Sequence, residues 1–134
     1  MTYEEKRDFL SLYRENTTRI KGLTRELETW EGIAQSIGVK LDDMPKCSGT
    51  GDKIANAAAN AVDIIRQIEA DIAVAKAERQ RVVDVIEKLP RRQRLVLEYR
   101  YIHGLKVSEI AEEIGKSEKW TGELIRNTVM KMDI

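Results

Sequence analysis

Between Ser117 and Asn127 the sequence SEKWTGELIRN gathers side chains able to recognise another molecule. At helical spacing Thr121, Leu124, Ile125 and Thr128 point one way, which leaves Glu118, Lys119, Gly122, Glu123, Arg126 and Asn127 on the opposite side. The ammonium of Lys119 and the guanidinium of Arg126 match phosphate oxygens and guanine acceptors, while Glu118 and Glu123 match the amino group of cytosine. This is the chemistry of reading a duplex. Glu118 also has a plainer role, since a carboxylate in a first helical turn offsets the unpaired amides there. Trp120 is either a plug in the local core or a surface for sugars and thymine methyls. Gly122 permits close approach to a phosphate backbone and weakens its helix by about 1 kcal/mol.

Such a face has to be held out by other elements. Val107, Ile110, Ala111 and Ile114 form the apolar stripe of a short preceding helix. Gly115 supplies a residue able to adopt the left-handed turn, and Ser117 an oxygen to cap the next helix, so a helix-turn-helix is predicted. Pro90 marks a further helix start at its first helical position, with Leu95, Val96, Tyr99 and Ile102 buried and Gly104 as its end. The predicted core of this tri-helical module is Leu89, Leu95, Val96, Tyr99, Leu105, Val107, Ile110, Ala111, Ile114, Leu124, Ile125, Thr128 and Met132. Arg91, Arg92, Arg94, Arg100 and Lys106 lie outside the recognition helix and suit phosphate or protein contacts better than base reading.

The 134 residues carry a formal net charge of zero, 34% charged side chains and 5% aromatics, which points to an all-α chain and excludes bulk electrostatic attraction to nucleic acid. A local basic patch does exist: Arg79, Arg81, Lys88, Arg91, Arg92, Arg94 and Arg100 face only Asp84, Glu87 and Glu98 over that stretch. Cys47 and His103 are each the only residue of their type. Disulfides, Cys/His metal sites and nucleophile-histidine catalysis are therefore not expected, and the chain is read as a non-enzyme without cofactors. A signal-peptide pattern and any apolar run of membrane-spanning length are absent, so a cytoplasmic protein is expected.

Upstream, Tyr13, Ile20, Leu27 and Ala34 form one seven-residue track, and Phe9, Leu23, Trp30 and Ile37 a second, interrupted by Asn16. A helix follows from this, with a bend or break expected near Gly22 or Gly32. Residues 38–52, with Met44, Pro45, Cys47, Gly49 and Gly51, read as a loop in which Thr50 or Asp52 caps the next helix. From Lys53 to Lys88 another seam runs through Ile54, Ala58, Ala61, Ile65, Ile68, Ile72, Ala75, Val82 and Ile86, broken only by Arg79. The simplest arrangement is an antiparallel hairpin over residues 1–88, with pairing between chains as the alternative. A DNA-binding module then occupies 89–134. A hairpin has little core of its own, so a homo-oligomer, a dimer in the first instance, is expected.

Residues 89–132 resemble region 4 of bacterial sigma factors, which reads the promoter −35 element. The resemblance rests on Leu89-Pro90, Arg94, Val96-Leu97, Arg100-Tyr101, Gly104-Leu105, Glu109-Ile110-Ala111, Ile114-Gly115 and Ser117-Glu118. It implies base reading by the last helix and contact of the first helices with RNA polymerase through its β-subunit flap. The chain departs from that pattern at Thr121, where the family usually buries Val, at Trp120, a position usually small and polar, and at Gly122. The order of a long helix, a Met44-to-Lys53 loop, an Ala-rich helix and this module looks like small phage and prophage regulators of the RinA/ArpU type. That likeness implies activation of phage late genes from promoter-proximal DNA, with host RNA polymerase as a second partner. Two other readings stay open: a DNA-packaging protein like a small terminase subunit, and a polymerase-docking protein that no longer binds DNA. The DNA-binding residues expected are Lys106, Ser117, Lys119, Trp120, Gly122, Glu123, Arg126 and Asn127, joined by Arg91, Arg92 and Arg94.

Overall fold

The computed structural model describes residues 1–38 and 52–134, and these form an all-α protein. The loop expected around Pro45 and Cys47, with Thr50 as a cap, lies outside the described residues. Helix α1 spans Tyr3–Ile37 and α2 spans Asp52–Glu87. The hydroxyl of Thr2 caps α1 by accepting from Glu5 N at 3.2 Å. The break considered near Gly22 or Gly32 does not occur, and α1 is one continuous helix. A Cβ at either glycine would meet open space, so both lie off the packed seam, whose burial outweighs their weak helix propensity.

The two long helices pair antiparallel within the chain: Asn16 meets Glu78, and Ala34 packs with Ala61. The chain divides into two compact units, Thr18–Ala75 and the combination of Met1–Thr17 with Lys76–Ile134. In the first, Ala34, Ala61 and Ile65 form a buried cluster covered by Leu27 and Trp30, where the small alanines let the helices approach closely. Ala58 and Ile68, both on the predicted seam, are also buried.

In the second unit the end of α2 and the start of α1 join four shorter segments. Asn16, the polar break in the seam, is 3% exposed and donates through Nδ2 to Glu78 Oε2 at 3.2 Å. Its burial is thereby satisfied. Pro90 precedes α3 (Arg91–Leu97) as its cap, with ψ of 153°, instead of opening the helix as expected. A π-helical turn, Glu98–Ile102, continues α3 and is closed by His103 N donating to Glu98 O at 2.9 Å. Then follow α4 (Val107–Ile114) and α5 (Glu118–Lys131).

One core holds this unit together: Leu10 from α1 and Val82 and Ile86 from α2 pack with Val96, Leu97, Tyr101, Ile110, Ile125, Val129 and Met132. Leu95, expected in that core, is 39% exposed, while Leu97 and Val129 are fully buried. The buried stripe of α3 is centred on Val96 and Leu97 because α2 and α5 cover that side. The π-helical turn widens the backbone beyond 3.6 residues per turn, so Tyr101 goes inside while Tyr99 and Ile102 are only half-buried.

Burial raises the Tyr101 phenol above its usual value of 10.0, helped by the nearby Tyr3 and opposed by Arg7 and Arg100. A raised folded-state value means this contribution to stability is whole below the unfolded-state value and is lost as pH rises through the folded one. Thermal stability should therefore fall above about pH 10, and less steeply in Tyr101→Phe. At Gly104, φ is 70° and a Cβ would run into the Arg14 guanidinium. The arginine is free to swing aside, so the left-handed strain remains as the main cost. Gly104→Ala should lose about 1–2 kcal/mol in urea unfolding, in the Arg14→Ala background as well.

Candidate nucleic-acid interface

Gly115 ends α4 in the left-handed conformation, φ 68°, and Lys116 N returns to Ala111 O at 3.0 Å. Two residues on, Ser117 Oγ accepts from Trp120 N at 3.1 Å and starts α5. At the other end of α4, Glu109 Oε1 accepts from Lys106 N at 3.1 Å. This is the helix-turn-helix geometry expected from the sequence. Thr121 is fully buried in the position of an apolar residue, and its hydroxyl donates to Ser117 O at 2.8 Å, so it fills the space of a valine without an unpaired polar atom. Ile125, Thr128 and Val129 complete the buried side of α5.

Lys119, Glu123, Arg126, Asn127 and Met130 are all exposed and lie on the opposite side of α5. Among the described residues, no hydrogen bond or ion pair engages Lys119, Glu123 or Asn127. Arg126 is different: its guanidinium lies over the ring of Tyr3, 5.5 Å from the centroid. The neighbouring Lys6 Nζ donates to Met130 O at 2.8 Å. The first turns of α1 thus flank one edge of the α5 face. Sequence reading missed Tyr3 and Lys6, because nothing local links residues separated by 124 positions.

On the other edge, Trp120 is half-buried between two cations, Arg92 at 5.7 Å and Lys116 at 5.4 Å from the ring centroid. The ring is therefore part filler and part exposed surface. With Arg91, Leu95, Tyr99, Glu113 and Ile114 it lines a groove of about 430 Å³ beside α3 and α4. Lys116 was not among the expected contacts, although its place in the turn before Ser117 was a usable signal. Arg94 stands apart, 3.9 Å from Glu98 in an exposed pair one turn on. Such a pair contributes little to stability. Gly122 sits at the seam between α5 and α4: a Cβ there would meet Val107 Cγ1 at 3.8 Å, an ordinary contact.

A family model described as Sigma-70, region 4 matches residues 79–119. The match begins in the last turns of α2, covers α3, the π-helical turn and α4, and ends at the second residue of α5. This part of the chain is a helix-turn-helix region of the sigma-70 region 4 type. The outward face of α5 beyond Lys119, with Trp120 and Gly122, lies past the matched segment. No curated protein and no solved structure matches the chain. Among the described residues, no helix is long and apolar enough to cross a membrane, and no group of three or more His, Cys, Asp or Glu is placed to hold a metal ion.

Gly122→Ala should stabilise the fold by about 1 kcal/mol, because the new methyl finds ordinary contact and the helix gains propensity. Urea titration measures that gain. A duplex lying close against Gly122 would make the same variant bind DNA more weakly while being more stable.

Proposed function

We propose that this chain binds double-stranded DNA with α5 in the major groove and regulates transcription. The observation that carries the reading is the capped α4–turn–α5 unit, whose outward residues Lys119, Glu123 and Asn127 are held by no partner among the described residues. The Sigma-70, region 4 match over residues 79–119 supports it. Lys119, Glu123, Arg126 and Asn127 address base edges or adjoining phosphates, and Trp120 with Gly122 adjoins the sugar-phosphate backbone. Lys106, Ser117, Arg91, Arg92 and Arg94 hold the backbone around them, so residues 89–134 are the DNA-binding module.

Regulation of phage late genes extends this reading, supported by the likeness of the chain's layout to small phage regulators. In that version the protein sits at promoter-proximal DNA and contacts host RNA polymerase. The chain acts as a homodimer, a reading supported by Ile33 and Val74, which remain 38% and 52% exposed on α1 and α2.

Fluorescence anisotropy on duplexes from the DNA flanking its own gene, across a salt series, tests the proposal. Arg126→Ala should weaken specific binding by about 1–3 kcal/mol if it reads a base. Lys119→Ala, if it contacts phosphate, should weaken all duplexes alike and reduce the salt slope by about one. Absence of salt-dependent binding to any duplex would leave no place for α5 as a reading helix. Light scattering should give a dimer, whereas a closed ring would point to DNA packaging.

A further inference from the structure

A second charged feature is built without α5. Arg7, Ser11, Arg14 and Glu15 on α1, with Arg100 and Tyr101 on the π-helical turn, line a cleft of about 250 Å³ to which α5 contributes no residue. Three of its lining residues are arginines. Among the described residues none of them forms an ion pair, not even with Glu15 on the same cleft.

Each arginine is held instead by a neutral partner. Arg7 lies 5.6 Å from the centroid of the Tyr3 ring and near enough to the Tyr101 phenol to oppose the rise in its pKa. Arg100 Nη1 donates to Leu105 O at 3.0 Å. Arg14 rests against Gly104, at the place where any other residue would carry its Cβ. None of these contacts cancels the charge. The Ser11 hydroxyl is committed to Arg7 O at 2.9 Å. Tyr101 lines the same cleft, and its phenol O–H is a further donor type there. In a chain with as many carboxylates as cations, three arginines collected without acidic partners repel one another unless something else neutralises them.

We propose that this cleft is a binding site for a phosphate group, either a phosphate or diphosphate of a small molecule or a backbone phosphate of DNA. Arg7, Arg14 and Arg100 supply charge-assisted donors, the bonding that guanidinium forks make with phosphate oxygens. Glu15 at the edge opposes the anion and keeps its binding readily reversible. The proposal does not rest on α5 reading DNA.

Isothermal titration calorimetry of the full chain without DNA, using inorganic pyrophosphate at low salt, is the first arm of the test. Saturable binding is expected. Arg14→Gln should weaken it roughly tenfold or more, and Glu15→Gln should tighten it. Both positions are exposed, and circular dichroism checks that each variant folds. In the second arm, Arg14→Gln is compared with the unaltered chain on two unrelated duplexes across a salt series. Equal loss on both duplexes and a salt slope flatter by about one assign the site to DNA phosphate. Pyrophosphate binding without that loss assigns it to a small phosphorylated ligand, and would survive even if α5 bound no DNA. Arg14→Gln that changes neither the pyrophosphate heats nor the binding of either duplex overturns the proposal.

Discussion

The unit that presents α5 depends on a core it does not own. Helix α3 has 7 residues and α4 has 8, too short to be stable as isolated helices. Their apolar faces close only when Leu10 from α1 and Val82 and Ile86 from α2 are added to Val96, Leu97, Ile110, Ile125 and Val129. Capping at Gly115 and Ser117 sets the angle between α4 and α5, but burial against the long helices sets where α5 stands. The ends of α1 and α2 are therefore part of the machinery that holds the candidate interface, beyond any role in pairing.

The same unit treats its cations in a consistent way. Arg7 and Arg126 lie over Tyr3, Arg79 over Tyr13, Arg81 over Phe9 and Arg92 over Trp120. An aromatic face orients a guanidinium without cancelling its charge. A carboxylate partner would cancel it. Few aromatics exist in the chain, yet four of its seven carry an arginine in this unit. The result is positive potential placed locally on a molecule whose formal charges sum to zero, which is what specific rather than bulk attraction to an anion requires.

Much of this was legible in the residues. The seven-residue tracks gave both long helices, and the run from Ala58 through Ile65 and Ala75 to Ile86 is the buried stripe of α2. Gly115 and Ser117 announced the turn because each answers a local need of the backbone. Leu10 was not legible: it lies off both tracks of α1, and is buried because helices more than eighty positions later cover a second side of that helix. The inversion of Leu95 and Leu97 has a similar cause, since Val82, Ile86 and Val129 decide which side of α3 is covered. The widened turn after Leu97 has no signature in spacing alone. The outward residues of α5 followed from simple periodicity, whereas the stacking of Arg126 on Tyr3 and the gathering of Arg7, Arg14 and Arg100 needed tertiary contacts no local pattern encodes.

The hydrogen bond from Lys6 to the Met130 carbonyl spans 124 positions. A ribosome releases α1 well before α5, so the Leu10 side of the nascent helix stays bare until the later helices have emerged. Closing so long a span costs chain entropy before any burial compensates, which makes assembly of this unit a late and concerted event. A prematurely terminated polypeptide would lack the segment that shields Leu10, leaving a sticky helix of the kind chaperones bind and proteases clear.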